Sequence, residues 1–275
     1  MVAITFMIAW HCNEFRQLAA IMKRLAPCNF VMIAAAALAL LGCDAVAQET
    51  CKLTVIGSAQ VAAVRDGRTL MLDDGRELRL AAIEAGDDSR HALELLVDGR
   101  PLRLERLAAE SDRYGRLVAF AFAGDAQKSL QQALLAEGQA RVSARIGDKA
   151  CADALLTIER AARAARRGLW ADPNFAPLRA ENIAQLQAER GHFALVEGKV
   201  LSVRESGATI YVNFRRRWTR DFTVTILRRQ QRAFAAAGIE PKQLEGRRIH
   251  VRGWIEQRGG PIIAAEAPEQ IEFAE

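Results

Sequence analysis

The chain has 275 residues, of which 51 % are hydrophobic, 26 % charged and 6 % aromatic, with 19 glycines, 7 prolines and 5 cysteines. This excludes collagen-like, low-complexity and wholly disordered chains, and a cysteine-dense scaffold, and leaves room for one large or two modest folded units. The formal charge of +5, from 38 basic and 33 acidic residues, is too small to indicate a nucleic-acid binder by itself.

The N-terminal segment reads as a leader. Lys23 and Arg24 precede a charge-free run from Phe30 to Leu41, and Ala45-Val46-Ala47 follows. A basic start, a short apolar stretch and a small-x-small site, in that order, read as a secretory signal peptide beginning at Met22. Residues 1–21 then read as an upstream extension from a misplaced start. The apolar run is shorter than the roughly 18–20 residues a bilayer span needs. Leu40-Leu41-Gly42-Cys43 also resembles a bacterial lipobox, in which Cys43 would be lipidated. Three fates stay open: cleavage after Ala47, lipidation at Cys43, or an uncleaved anchor. All three predict export from a bacterium, to the periplasm or beyond, with membrane association only in the last two. Cleavage after Ala47 leaves Cys51 and Cys151, which either form one disulfide or remain separate thiols.

From residue 48 to about 175, a folded unit is expected. Lys52–Val64 reads as a strand, Asp66-Gly67 as a turn, Thr69–Leu72 as a second strand and Asp73-Asp74-Gly75 as the next turn. Glu77–Ile83 is a third strand, with Leu78, Leu80 and Ala82 on one face and Arg79 on the other. The tight turns predict an antiparallel meander. Asp88 or Ser89 caps a helix to about Val97. Pro101–Leu107 and Arg116–Phe122 are strands, and Ser129–Glu137 and Ala152–Arg167 are helices closed by Gly138 and Gly168. Leu169 and Trp170 follow as a packing clamp, and Arg163, Arg166 and Arg167 suit the helix dipole. Short antiparallel strands interrupted by a helix suggest a small barrel with helices outside.

Four motifs sharpen this. They are Asp66-Gly67-x-Thr69; Arg79-Leu80 with Glu84 and Asp87; Asp112-Arg113-Tyr114-Gly115-Arg116; and Ala164-Ala165-Arg166-Arg167-Gly168-Leu169-Trp170. Together they resemble the staphylococcal-nuclease-like (thermonuclease) family over about residues 52–173. The resemblance implies a mainly β fold with helices, a five-stranded barrel of the oligonucleotide/oligosaccharide-binding (OB) type, and phosphodiester hydrolysis. In that family two arginines clamp the phosphate, carboxylates and a backbone carbonyl hold calcium, and an acid sits near the attacking water. Carried over by position, Arg79 and Arg116 match the clamp, Tyr114 lies on the substrate side, Glu84 and Ala85 match metal ligands, and Asp87 matches the acid near water. These make Arg79, Asp87 and Arg116 the candidate catalytic residues.

The metal half departs from the pattern. A ligand aspartate is replaced by Arg68, and Glu84 is one methylene longer than the residue it matches. Two outcomes are open. Arg68 stands in for the cation and binds phosphate beside Arg79 and Arg116, or it pairs with Glu84 or Asp87 and fills the site. A guanidinium steadies a phosphate but does not acidify water as a metal does, so weak or absent calcium-dependent cleavage is expected. No cofactor other than that calcium is implied.

Residues 176–192 read as a polar surface connector. From Phe193 the strand pattern returns: Ala194–Val203 with Gly198 as a candidate bulge, Thr209–Phe214, Asp221–Ile226, a helix Arg228–Ala237, then Ile249–Ile255, Ile262–Ala265 and Gln270–Phe273. This is compatible with a second small OB-like barrel, and it resembles the accessory domain that follows thermonuclease-like domains in some exported proteins. Arg215-Arg216-Arg217-Trp218-Thr219-Arg220 is a basic stretch able to contact phosphates and stack a base, with a solvated loop as the alternative. Residues 190–275 carry 15 basic and 10 acidic residues, against 20 and 21 for residues 48–189, so nucleic acid or another polyanion is expected at the C-terminal unit.

Overall fold

The computed structural model describes residues 51–107, 115–217 and 220–274. The expected leader, Cys43, Tyr114 and Trp218 lie outside the described residues. Strand β1 (Thr54–Ala59) and strand β2 (Val61–Val64) are separated only by Gln60, and they occupy opposite edges of one sheet. Between them stand β3 (Thr69–Leu72), β4 (Glu77–Leu80), β6 (Leu102–Arg106) and β7 (Leu117–Ala123), in the order β1-β6-β7-β4-β3-β2. The β2-β3-β4 meander is antiparallel, whereas β4 and β7 pair in parallel. Alternation explains the packing: Leu70, Leu72, Leu78, Leu80, Leu102 and Leu104 are all buried in the first core.

The third strand is shorter than the sequence pattern suggests. It breaks after Leu80, because Ala82 adopts a left-handed φ of 64°. That turn redirects the chain into β5 (Ile83–Glu84), which pairs with β8 (Arg141–Val142). Helix α1 (Arg90–Val97) follows a 3-10 turn at Asp87–Ser89. Helix α2 (Leu130–Ala136) begins in a Ser129/Gln132 capping box, and helix α3 (Lys149–Ala164) begins at Asp148, whose carboxylate accepts from the Cys151 backbone N–H. Cys51 and Cys151 are joined by a disulfide, tying the segment before β1 to the first turn of α3. The Arg-Gly-Leu-Trp element packs backbone on backbone: a Cβ on Gly168 would lie 2.3 Å from the Glu137 carbonyl oxygen.

The expected surface connector is instead built in. It forms β9 (Leu178–Arg179) and helix α4 (Ile183–Ala188), and buries Leu178, Ala180 and Leu186 in a second core. That core lies within a four-stranded sheet, β17-β14-β10-β9, and a five-stranded sheet, β11-β12-β13-β16-β15. Their strands are β10 (Phe193–Lys199), β11 (Ser202–Ser206), β12 (Thr209–Asn213), β13 (Thr223–Leu227), β14 (Arg248–Trp254), β15 (Glu256–Arg258), β16 (Gly260–Ala264) and β17 (Ile271–Phe273). Helix α5 (Gln231–Ala236) buries Phe234. Gly198 is not a bulge. It pairs in unbroken register with Ile249, and a Cβ there would come within 2.5 Å of Ala180 and 2.7 Å of Phe214.

Residues 49–275 pack as one compact unit, and polar contacts join its two halves. Arg252 on β14 is 1 % exposed. It donates twice to Glu159 of α3, at 2.9 Å each, once to the Val142 carbonyl at 2.9 Å, and also to Glu272. Burial opposes both charges. Even so, Glu159 and Glu272 hold the Arg252 guanidinium above its ordinary value, and Arg252, the Val142 N–H and Arg163 hold Glu159 below its own. Arg141 donates to the carbonyls of Phe175 at 2.7 Å and Phe193 at 3.2 Å, with its guanidinium 3.7 Å from the Phe175 ring.

Candidate functional site

Three arginines come together on adjacent strands of the first sheet. Arg79 lies on β4, its neighbours Leu78 and Leu80 pointing into the core, and pairs across to Thr69 at the start of β3. Arg68 precedes β3 and its carbonyl accepts the Leu80 N–H at 2.8 Å. Arg116 immediately precedes β7, whose Leu117 is in register with Leu78. All three line an open cleft of about 640 Å³, together with Glu84, Ser143 and Trp254.

Local geometry fixes Arg68. Asp66 accepts the Arg68 N–H at 2.8 Å, closing a tight side-chain turn. Gly67 lies against the loop that follows β5: its N–H donates to the Gly86 carbonyl at 3.1 Å, and a Cβ would meet that oxygen at 2.3 Å. The Arg68 side chain therefore runs into the cleft. Its Nη1 donates to the Ile83 carbonyl at 3.3 Å and is bonded to Glu84 Oε2. The same Glu84 oxygen lies 3.9 Å from Arg79 Nη2. The turn at Ala82 is what swings Glu84 over these cations.

Among the described residues, the cleft lining contains three guanidiniums and one carboxylate. Burial and the neighbouring charges of Arg79 and Arg116 lower the Arg68 pKa to about 10, against the opposing pull of Asp66. It remains a cation at neutral pH. A recessed site with surplus fixed positive charge and several N–H forks suits an oxyanion such as phosphate.

Other expected site residues lie elsewhere. Asp87 is exposed on the 3-10 turn and is not among the residues lining the cleft. Ala85 is half-buried against the first core. Arg68 bonds Glu84 and no bond to Asp87 is made by it among the described residues. Also among those residues, no group of three or more His, Cys, Asp or Glu side chains is placed to hold a metal ion. Arg215, Arg216, Arg217 and Arg220 are exposed, away from the cleft lining. Arg215 donates to the Glu181 carbonyl at 3.3 Å, and Asp221 accepts the Arg217 N–H at 2.8 Å, so this loop is partly held by its own polar contacts.

Sequence reasoning missed Trp254. The alternation of Ile249, Val251 and Gly253 inward on β14 leaves Trp254 outward, and an outward tryptophan was the available signal. No curated protein matches the chain. Residues 64–172, which contain Arg68, Arg79, Glu84 and Arg116, match the family model described as Staphylococcal nuclease homologue.

Proposed function

We propose that this is an exported nucleic-acid-binding protein whose nuclease-like cleft grips the phosphate backbone without calcium-dependent hydrolysis. The observation that carries it is the Arg68–Glu84 bond inside the cleft that also holds Arg79 and Arg116. Calcium requires a cage of free oxygen ligands. Here the one lining carboxylate among the described residues is committed to a guanidinium, and a fixed cation stands where the resemblance places a ligand. The residues present do not fit the ion, and no step through it is derived.

The remaining groups keep a binding role. Arg79 and Arg116 supply forks for phosphate oxygens, and Arg68 adds charge beside them. Asp87 is not among the described residues that line the cleft. The stretch Arg215–Arg217 with Arg220 is a second contact for a polyanion. We further read residues 48–175 and 193–275 as two OB-like barrels. In the first, β1 and β2 form one bent strand reaching both edges of its sheet. In the second, the β10/β11 and β14/β15 pairs each run from one sheet into the other. Export rests on the leader pattern and is consistent with the Cys51–Cys151 disulfide, since such bonds persist in oxidising compartments.

The test is cleavage and binding of single-stranded DNA, with calcium and with chelator. The expected result is salt-sensitive binding in both, weakened by Arg79→Ala and Arg116→Ala, with no calcium-stimulated turnover. Robust calcium-stimulated turnover that vanishes in Arg79→Ala would establish an active phosphodiesterase instead.

A further inference from the structure

We propose that Trp254, delivered by the second half of the chain, is a base-stacking platform at the mouth of the arginine cleft, so that the site takes a nucleotide with an unstacked base. This rests on the phosphate reading of Arg79 and Arg116.

Trp254 lines the same cleft as Arg68, Arg79, Glu84 and Arg116, yet it lies outside the nuclease-homologue segment. It is 48 % exposed, one of few large apolar side chains left so open. An indole costs free energy when exposed, and an aromatic surface beside a cluster of cations matches a ligand carrying a planar ring next to an anion. A nucleotide has both. The cleft, at about 640 Å³, lies within the roughly 300–1,000 Å³ range of small-ligand sites.

The position of the indole is set. Trp254 ends β14 in register with Phe193, and the two rings meet edge to face at 6.1 Å. Two residues earlier, Arg252 is anchored to Glu159 and Val142 of the first half. On the paired strand, the Phe193 carbonyl accepts from Arg141, next to Val142 on β8. The buried ion cluster therefore does more than join two cores: it holds an aromatic ring at a fixed place relative to the guanidiniums. In a duplex the base faces are already stacked, so this platform selects single strands.

The experiment uses the full exported chain and three labelled probes: oligo(dT), an abasic oligomer of equal length and charge, and a duplex. Trp254→Ala should weaken oligo(dT) about 5- to 150-fold, the range for losing one base–aromatic stack. Trp254→Phe should restore most of that loss. Neither variant should alter the salt dependence of binding or the affinity for the abasic oligomer, whereas Arg79→Ala should reduce both. Circular dichroism and unchanged abasic binding report that the variants are folded. If Arg79→Ala and Arg116→Ala weaken every probe while Trp254→Ala leaves oligo(dT) unchanged, or weakens the abasic oligomer equally, the stacking role is overturned and phosphate binding stands. Tighter binding of duplex than of oligo(dT) also overturns it. If the arginine variants change no probe, both readings fall.

Discussion

Replacing Arg252 with methionine should be among the most damaging single changes in this protein. The guanidinium is 1 % exposed and makes four hydrogen bonds, two of them to Glu159, which is 0 % exposed. Methionine fills much of the volume but removes the buried cation between Glu159 and Glu272, leaving them the more peripheral Arg163 and Arg160. Breaking a buried pair from one side costs about 3–5 kcal/mol. At roughly 2–4 °C per kcal/mol for a chain this long, Tm should fall by about 6–20 °C. Glu159→Gln alone should also destabilise, because it leaves Arg252 with less compensation. The two together should cost less than the sum of the single losses, since the double variant buries fewer unpaired charges. Urea unfolding of the four proteins of this cycle at neutral pH measures the coupling. Losses under about 1 kcal/mol for Arg252→Met, or additivity within about 0.5 kcal/mol, would refute the buried-cluster account.

Gly67→Ala forces a Cβ to 2.3 Å from the Gly86 carbonyl oxygen, so it should cost about 1–3 kcal/mol in thermal unfolding and weaken phosphate-dependent binding by displacing Arg68. Replacing Cys51 and Cys151 together with alanine removes a bond spanning 100 residues, for which chain entropy gives a loss of about 4–5 kcal/mol, read as a lower denaturation midpoint than the oxidised protein. Stability should also fall in acid. His250 is kept below its ordinary 6.5 by burial and Arg163 against Glu197 and Glu272, and Glu159 is kept below 4.5 by Arg252, the Val142 N–H and Arg163 against burial. Groups with lowered folded values bind fewer protons folded than unfolded, so their contribution is complete above the unfolded value and is lost as pH falls through the folded one. Tm should therefore be flat above 6.5, decline below it, and decline more steeply below 4.5, with Glu159→Gln flattening the second limb.

What was legible in the sequence was local. The alternation of Leu70, Leu72, Leu78 and Leu80, and the Asp-Gly turns between them, are short-range patterns, and the strands formed there. The break after Leu80 was not legible. Alanine has no preference for a positive φ, and Ala82 adopts one because β5 pairs with β8, almost sixty residues on. Helix α3 starts earlier than its alanine-rich run suggests, although Asp148 was a readable cap. The polar segment 176–192 reads as surface because few apolar residues carry its packing: Leu178, Ala180 and Leu186, with Ile183 against them. Arg252 is the sharpest case. A charge between Val251 and Gly253 reads as solvated, and only acids 93 and 20 residues away explain its burial. The cleft residues Arg68, Arg79, Glu84 and Arg116 could be named from motif positions. Trp254 could not, because no pattern within β14 reveals which surface of the other half it faces.

Charge counts do not reveal the cleft, for a similar reason. Residues 48–189 carry 20 basic and 21 acidic side chains, which suggests no affinity for a polyanion. Yet the cleft in that segment gathers, among the described residues, three arginines around a single glutamate. Electrostatic attraction at a recessed site depends on the few charges that line it, because solvent and salt screen the rest within about 10 Å. The substitution at position 68 then has a specific consequence. A divalent ion contributes charge and also polarises water; a guanidinium contributes charge and hydrogen bonds only. On the proposed reading, Arg68 supplies counter-charge for a phosphate without the water activation a divalent ion would bring, and attraction then needs no added metal. Binding that persists in chelator, weakens with salt and yields no cleavage is what three fixed cations in that cleft would produce.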